Sequence, residues 1–335
     1  MKWNHFLILL FITHIAMSQS TYPTIGRIVI VKESARDLID SNAPIEILAD
    51  GYDWSEGPVW WKESKSILFS DVPQNTVFIW TDNGKGAIPF IKPSGYTGIG
   101  RYSGEPGSNG LTVDGKGNLI SCEHGDRRVS IMPLNVPGGK RTISDNYKGK
   151  RFNSPNDVII GSNGRVYFTD PPYGMPLQEK DIAETGVYGV YMHEKGKTTQ
   201  IIRNLTRPNG LALSPDEQTL YIGQSDPEKA YYMKYPVKSN GKVGKGSILF
   251  DCTALNKSGL SGGPDGIKID HLGNIWGTGP GGILVVSPQG ELLARIETTQ
   301  ATANCGWGDD GSVLYITADR YLLRVKTKVK GIPFR

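Results

Sequence analysis

Six stretches of the chain share one pattern, and their spacing limits the fold more than any other feature. Each opens on a residue that offers an oxygen, passes into apolar residues, turns, and returns as a second apolar run. They open at Glu56 (EGPVWWKESKSILFSD), Asn109 (NGLTVDGKGNLISCEH), Asn156 (NDVIIGSNGRVYFTD), Asn209 (NGLALSPDEQTLYIG), Asp265 (DGIKIDHLGNIWGTG) and Asn304 (NCGWGDDGSVLYITAD), at intervals of 53, 47, 53, 56 and 39 residues. A repeat of this period, made of short strands and Gly-rich turns, is the signature of a β-propeller, whose blades stack around a central channel. The expectation is an all-β, six-bladed β-propeller.

The third repeat shows the local logic. Residues 157–160 and 166–169 read as strands joined by Ser162-Asn163-Gly164, where Gly accepts the positive φ that tight hairpin turns require. A long connection, 170–186, follows, of the kind that serves as a lid or binding loop. Composition agrees: 42 Gly, 21 Pro and 38% hydrophobic residues in 335 suit a turn-rich all-β chain with a large core. The net charge of +4 is interspersed, and no basic patch with interleaved aromatics marks a nucleic-acid partner.

At the N-terminus, Lys2 precedes an apolar run, 6–17, that is too short for a membrane span. The reading is a secretory signal over 1–18 ahead of a single propeller domain, 19–335, with a secreted or periplasmic location and no membrane contact after cleavage. Of two apolar segments that follow, 28–31 and 45–49, the second is assigned as the outer strand that closes the last blade. The odd number of cysteines, Cys122, Cys252 and Cys305, points to buried free thiols.

In a propeller the innermost strands line the channel, so their first residues gather at one mouth. Glu56, Asn156, Asn209 and Asp265 would then face one small volume. Two carboxylates and two amide oxygens form a hard-oxygen set suited to a divalent metal, Ca²⁺ first, with Mg²⁺, Mn²⁺ or Zn²⁺ as alternatives. Asn and Asp before Gly are also ordinary turn residues. Glu before Gly-Pro is not, and Glu56 stands at the same phase.

The pieces SEGPVW, SCEHGDRRV, SPNDVII with GRVYFTDPPYG, RPNGLALSPDEQTLYI and PDGIKID occur in order and resemble the gluconolactonase group of the SMP-30/gluconolactonase/LRE superfamily. The resemblance implies a six-bladed propeller with one divalent metal at the mouth, held by Glu56, Asn156, Asn209 and Asp265, that hydrolyses a small-molecule lactone. It makes Arg151, in Arg-Phe-Asn ahead of the third repeat, a substrate-binding candidate. Asn109, His124 and Tyr173 are further candidates for substrate contact.

Such chemistry needs a fixed positive charge at the carbonyl oxygen and a base for the attacking water. Asp265 is the first choice of base, and His124 the second, since imidazole titrates near neutrality. Other esters or phosphotriesters remain alternative substrates, and a non-enzymatic propeller that binds carbohydrate or protein is a further reading. Two motif matches fail on context. Gly259 to Gly263 fits G-x-S-x-G but is followed by Pro264 and a strand, and Gly277 to Gly282 fits G-x-G-x-x-G but leads into a strand rather than a helix.

Overall fold

A glycine follows the leading residue in four of the six repeats, and the reason is how closely the inner strands approach one another. In the computed structural model, which describes residues 22–332, six antiparallel sheets surround one axis. Their innermost strands are Ser55–Trp61, Ser108–Val113, Val158–Ile160, Pro208–Leu213, Ile267–Ile269 and Thr302–Gly308. A Cβ on Gly57 would lie 2.4 Å from the Asn109 carbonyl oxygen, and one on Gly210 would lie 2.0 Å from that of Asp265. Gly110 N–H donates to the Asn156 carbonyl at 2.7 Å and Gly210 N–H to the Asp265 carbonyl at 3.1 Å, which ties blade 2 to blade 3 and blade 4 to blade 5 at the axis. The expected six-bladed propeller is the observed fold.

Closure also follows the expectation. Glu46–Asp50 pairs antiparallel with Tyr321–Lys326 and supplies the outer strand of blade 6. The segment left unassigned, Arg27–Ile30, adds a fifth strand to blade 5 against Leu292–Glu297. Residues 27–50 therefore span the last two blades. The signal sequence expected at 1–18 lies outside the described residues.

No single core fills the molecule. Six apolar clusters each lie between two neighbouring blades. Leu68 and Val77 of blade 1 meet Leu111 and Leu119 of blade 2, while Ile67, Phe69 and Trp80 turn the other way to Tyr315 and Leu322 of blade 6. Strand alternation thus serves two interfaces, which is why the strand Ser66–Asp71 is buried at every position. Burying a side chain such as Phe69 contributes about 1.5–3 kcal/mol. Trp60 is in the core and Trp61 is half-buried, donating to Asn135 Oδ1 at 3.0 Å. Cys122, Cys252 and Cys305 are free and buried, as expected.

Candidate functional site

The leading residues point at the axis because the backbone turns there. In blades 1, 2, 4 and 6 the pairing of the first two strands slips at this point, between Glu56 and Val59, Ser108 and Leu111, Pro208 and Leu211, and Thr302 and Asn304. Such bulges re-aim a side chain out of the sheet. In blades 3 and 5, pairing begins only after the leading residue, at Val158 and Ile267.

The result is a cavity of about 280 Å³ at one mouth, lined by Glu56, Asn109, Asn156, Asn209 and Asp265, with Glu105, Tyr173, Arg207 and Asn256 on its walls. Volume alone would choose the opposite face, where a cavity of about 830 Å³ lies beside Trp60, His271 and Trp307. Unsatisfied oxygens choose the first. Asn109 Oδ1, Asn156 Oδ1, Asn209 Oδ1 and Asp265 Oδ1 are buried and have no hydrogen-bond partner among the described residues. A buried acceptor left unpaired costs about 1–3 kcal/mol. Four such oxygens on one cavity are the kind of donor that could hold a divalent cation.

Neighbouring groups fix which atom faces inward. Ser225 Oγ gives its one proton to the Pro264 carbonyl at 2.5 Å, so it must accept from Asn209 Nδ2 at 2.9 Å, which turns Asn209 Oδ1 to the cavity. Glu56 is set through a longer chain. Lys268 Nζ (3.1 Å) and Cys305 N–H (2.9 Å) both donate to Asn304 Oδ1, so Asn304 Nδ2 faces Glu56 Oε2 and donates to it at 3.1 Å. Gly57 N–H also donates to Oε2, at 2.8 Å, leaving Glu56 Oε1 for the site. The sixth repeat therefore orients Glu56 instead of adding an oxygen.

Charge fits the same occupant. Just behind the ring lies Asp157, buried, with Oδ2 4.0 Å from Lys268 Nζ. When ionised, Glu56, Asp157 and Asp265 against Lys268 carry a net of two negative charges, which one divalent cation would neutralise. Burial first, and then repulsion from Asp157 for Glu56 and from Glu56 and Asp157 for Asp265, holds both carboxyls above the usual carboxylate range. Among the described residues no three His, Cys, Asp or Glu gather as ligands, so the set is amide-rich. That composition suits hard oxygen-seeking ions over zinc.

Of the expected substrate contacts, Asn109 and Tyr173 line the cavity. Two others do not line it. His124 is fully buried under Gly174, and its Nδ1 lies 3.2 Å from the Glu105 carbonyl oxygen. A carbonyl only accepts, so Nδ1 carries the proton, and burial pushes the imidazole pKa down to about 4. Arg151 is exposed on a small hairpin, Asn146–Tyr147 with Lys150–Arg151, and its Nη2 donates to the Asp126 carbonyl at 2.8 Å, away from the cavity wall. Ser154 and Pro155 separate it from the ring. Sequence reasoning missed Arg207 and Glu105. Arg207 sits two residues before Asn209, a signal available in RPNG, whereas Glu105 reaches the cavity from a loop with no repeat phase.

Comparison with known proteins places this geometry. Residues 54–320 match the family described as SMP-30/gluconolactonase/LRE-like. The chain belongs to that family. It is 41% identical over 317 residues to a gluconolactonase of Zymomonas mobilis, covering 92% of this chain and 88% of that one. The solved structure of a gluconolactonase from Xanthomonas campestris is 27% identical with a TM-score of 0.78, covering 92% of this chain and 99% of its own. Regucalcin of Agrobacterium tumefaciens, a calcium-binding protein, shares the fold at 18% identity and a TM-score of 0.69, over 94% of this chain and 97% of its own.

Proposed function

We propose that the chain is a metal-dependent lactone hydrolase acting on a sugar lactone such as gluconolactone. The observation that carries the metal is the convergence of four buried, unpartnered side-chain oxygens in one cavity. The two gluconolactonase relatives support the substrate class. Glu56, Asn156, Asn209 and Asp265 would hold a divalent cation, Ca²⁺ first, with Asn109 Oδ1 the next oxygen. Such an ion supplies Lewis acidity toward a carbonyl oxygen.

The chain's own residues do the rest. The cavity is near the lower end of ligand clefts, about 300 Å³. Its walls are hydroxyl, amide and charged groups from Tyr173, Ser225, Asn256 and Arg207, which suit a polyhydroxylated ring. Arg207 supplies the positive charge that a ring-opened carboxylate would meet. The connection between the strands ending at Asp170 and beginning at Gly189 brings Tyr173 to one wall of the cavity. The expected signal sequence at 1–18 makes the enzyme secreted or periplasmic, and the N-terminal residue of the mature protein, read by mass spectrometry, tests this.

The deciding experiment is proton release from δ-gluconolactone, with protein stripped by EDTA and then resupplied with CaCl₂. Turnover that disappears with EDTA and returns with calcium is expected. Undiminished turnover in EDTA would overturn the metal assignment. No turnover on gluconolactone, aryl esters or phosphotriesters with Ca²⁺, Mg²⁺ or Mn²⁺ would overturn the enzyme in favour of a binding propeller.

A further inference from the structure

We propose that Lys268 is a built-in counter-cation that sets the preference of the ring for a divalent over a trivalent ion, a role that rests on the metal-site reading above. Lys268 stands three residues after Asp265, on the innermost strand of blade 5. At the same phase the other inner strands carry Val59, Thr112, Ile159, Ala212 and Trp307. These six positions line a cavity of about 110 Å³ with walls from all six inner strands, so it is the central channel. Apart from Lys268 and Thr112, the described residues on its walls are apolar.

An ammonium in an apolar channel is costly unless it is paired, and the chain supplies partners from across the axis. Lys268 Nζ donates to Asn304 Oδ1 of blade 6 at 3.1 Å and lies 4.0 Å from Asp157 Oδ2, at the start of the inner strand of blade 3. Asp157 is buried. Its Oδ1 accepts from Val158 N–H at 2.9 Å, and its Oδ2 has no hydrogen-bond partner among the described residues. Asn304 in turn donates through Nδ2 to Glu56 Oε2 at 3.1 Å, so the Lys268 charge is one side chain away from a ring carboxylate.

A lysine ammonium has only protons to offer, so it acts on a bound metal by repulsion and never as a ligand. Metal binding requires ionised carboxylates. Glu56, Asp157 and Asp265 then bring three negative charges, and Lys268 reduces them to two. Two ions of similar size but different charge feel that reduction unequally, because the ammonium repels the trivalent ion by half as much again as the divalent one, and apolar walls leave little water to screen it. Without Lys268 the three charges would match a trivalent ion. Asn304 should keep its orientation in that case, since Cys305 N–H donates to the same oxygen at 2.9 Å. Charge and positioning can therefore be separated.

The test uses the full chain, stripped with EDTA and titrated by calorimetry with CaCl₂ and separately with TbCl₃, terbium being a trivalent ion close to calcium in radius. The quantity read is the ratio of terbium to calcium affinity. Lys268→Gln removes the charge and keeps a donor for Asn304, and it should raise the ratio about tenfold or more over wild type. Lys268→Arg keeps the charge and should leave the ratio within about threefold. Asp157→Asn removes a negative charge instead and should lower the ratio, which tests the same charge count independently of any variant at 268. A ratio unchanged in Lys268→Gln would overturn the proposal. So would an equal rise in Lys268→Arg, which would make packing the cause, or a ratio that does not fall in Asp157→Asn. A wild-type protein that binds neither ion overturns the metal-site reading itself, whereas one that binds calcium with the same ratio in every variant overturns only the role of Lys268.

Discussion

Asn304 shows how much one side chain can decide. It occupies the sixth leading position yet turns its NH₂ to Glu56 Oε2, because Lys268 and Cys305 claim its oxygen. Asn304→Leu removes that donor and should weaken calcium binding about tenfold or more by calorimetry, since a hydrogen bond to a charged group contributes about 1.5–3 kcal/mol. Unchanged affinity would show that Glu56 is held without it. Asp170 gives a second residue-scale case. It is buried, Oδ2 accepts from Asn153 N–H and Nδ2 at 2.9 Å each, and Oδ1 has no partner among the described residues. Burial raises its carboxyl to about 8. A raised folded-state pKa means that the folded chain binds more protons than the unfolded one between about pH 4 and 8, so this contribution to stability falls as pH rises through that window. The stability of wild type relative to Asp170→Asn, measured by urea denaturation, should therefore decline from about pH 5 to pH 8, by an amount on the order of a few kcal/mol. Parallel pH profiles for the two proteins would contradict the assignment.

At the scale of elements, the inner strands are spaced by glycine. Gly210 stands where a Cβ would meet the Asp265 carbonyl oxygen at 2.0 Å, so Gly210→Ala must push blades 4 and 5 apart at the ring. Its melting temperature should fall by several degrees, consistent with about 1–3 kcal/mol for overpacking, and calcium affinity should fall with it. Gly139→Ala is the matched control, because a Cβ there meets nothing within 4 Å, and its stability should stay within about 0.5 kcal/mol of wild type. Equal effects of the two substitutions would mean that the close approach of strands does not set the ring.

For the whole molecule, six wedge-shaped cores and a shared N-terminal segment link every blade to two others. Arg27–Ile30 and Glu46–Asp50 clasp blades 5 and 6 from outside, and the short helix between them, Glu33–Asp37, sets Ala35 into the core at their junction. Unfolding should be one cooperative transition in scanning calorimetry, and a chain lacking 22–50 should melt at least 10 °C lower, since two sheet edges and one interface core lose their cover. Independent melting of blades 5 and 6 would refute the clasp. Calcium at about 100 times its Kd should raise the wild-type melting temperature by several degrees, following the roughly 2.7 kcal/mol that saturation by a native-state ligand contributes, and EDTA should reverse the shift.

Much of this was set by local pattern. The count of blades, the strand order within them, the closing role of Glu46–Asp50 and the convergence of Glu56, Asn156, Asn209 and Asp265 all follow from phase along the chain, because a strand's alternation and a propeller's period are properties of nearby residues. What tertiary structure alone decided lies in the loops and across the axis. Nothing local distinguishes Asn109, with its oxygen turned into the ring, from Asn304, whose oxygen is taken by Lys268. Nothing local says that Glu105 opens to the cavity while His124 is sealed beneath it, or that Asp157 and Lys268 face each other from different blades. Those outcomes depend on hydrogen bonds and charges between groups far apart in sequence, and burial sets their strength by removing the water that would otherwise screen them.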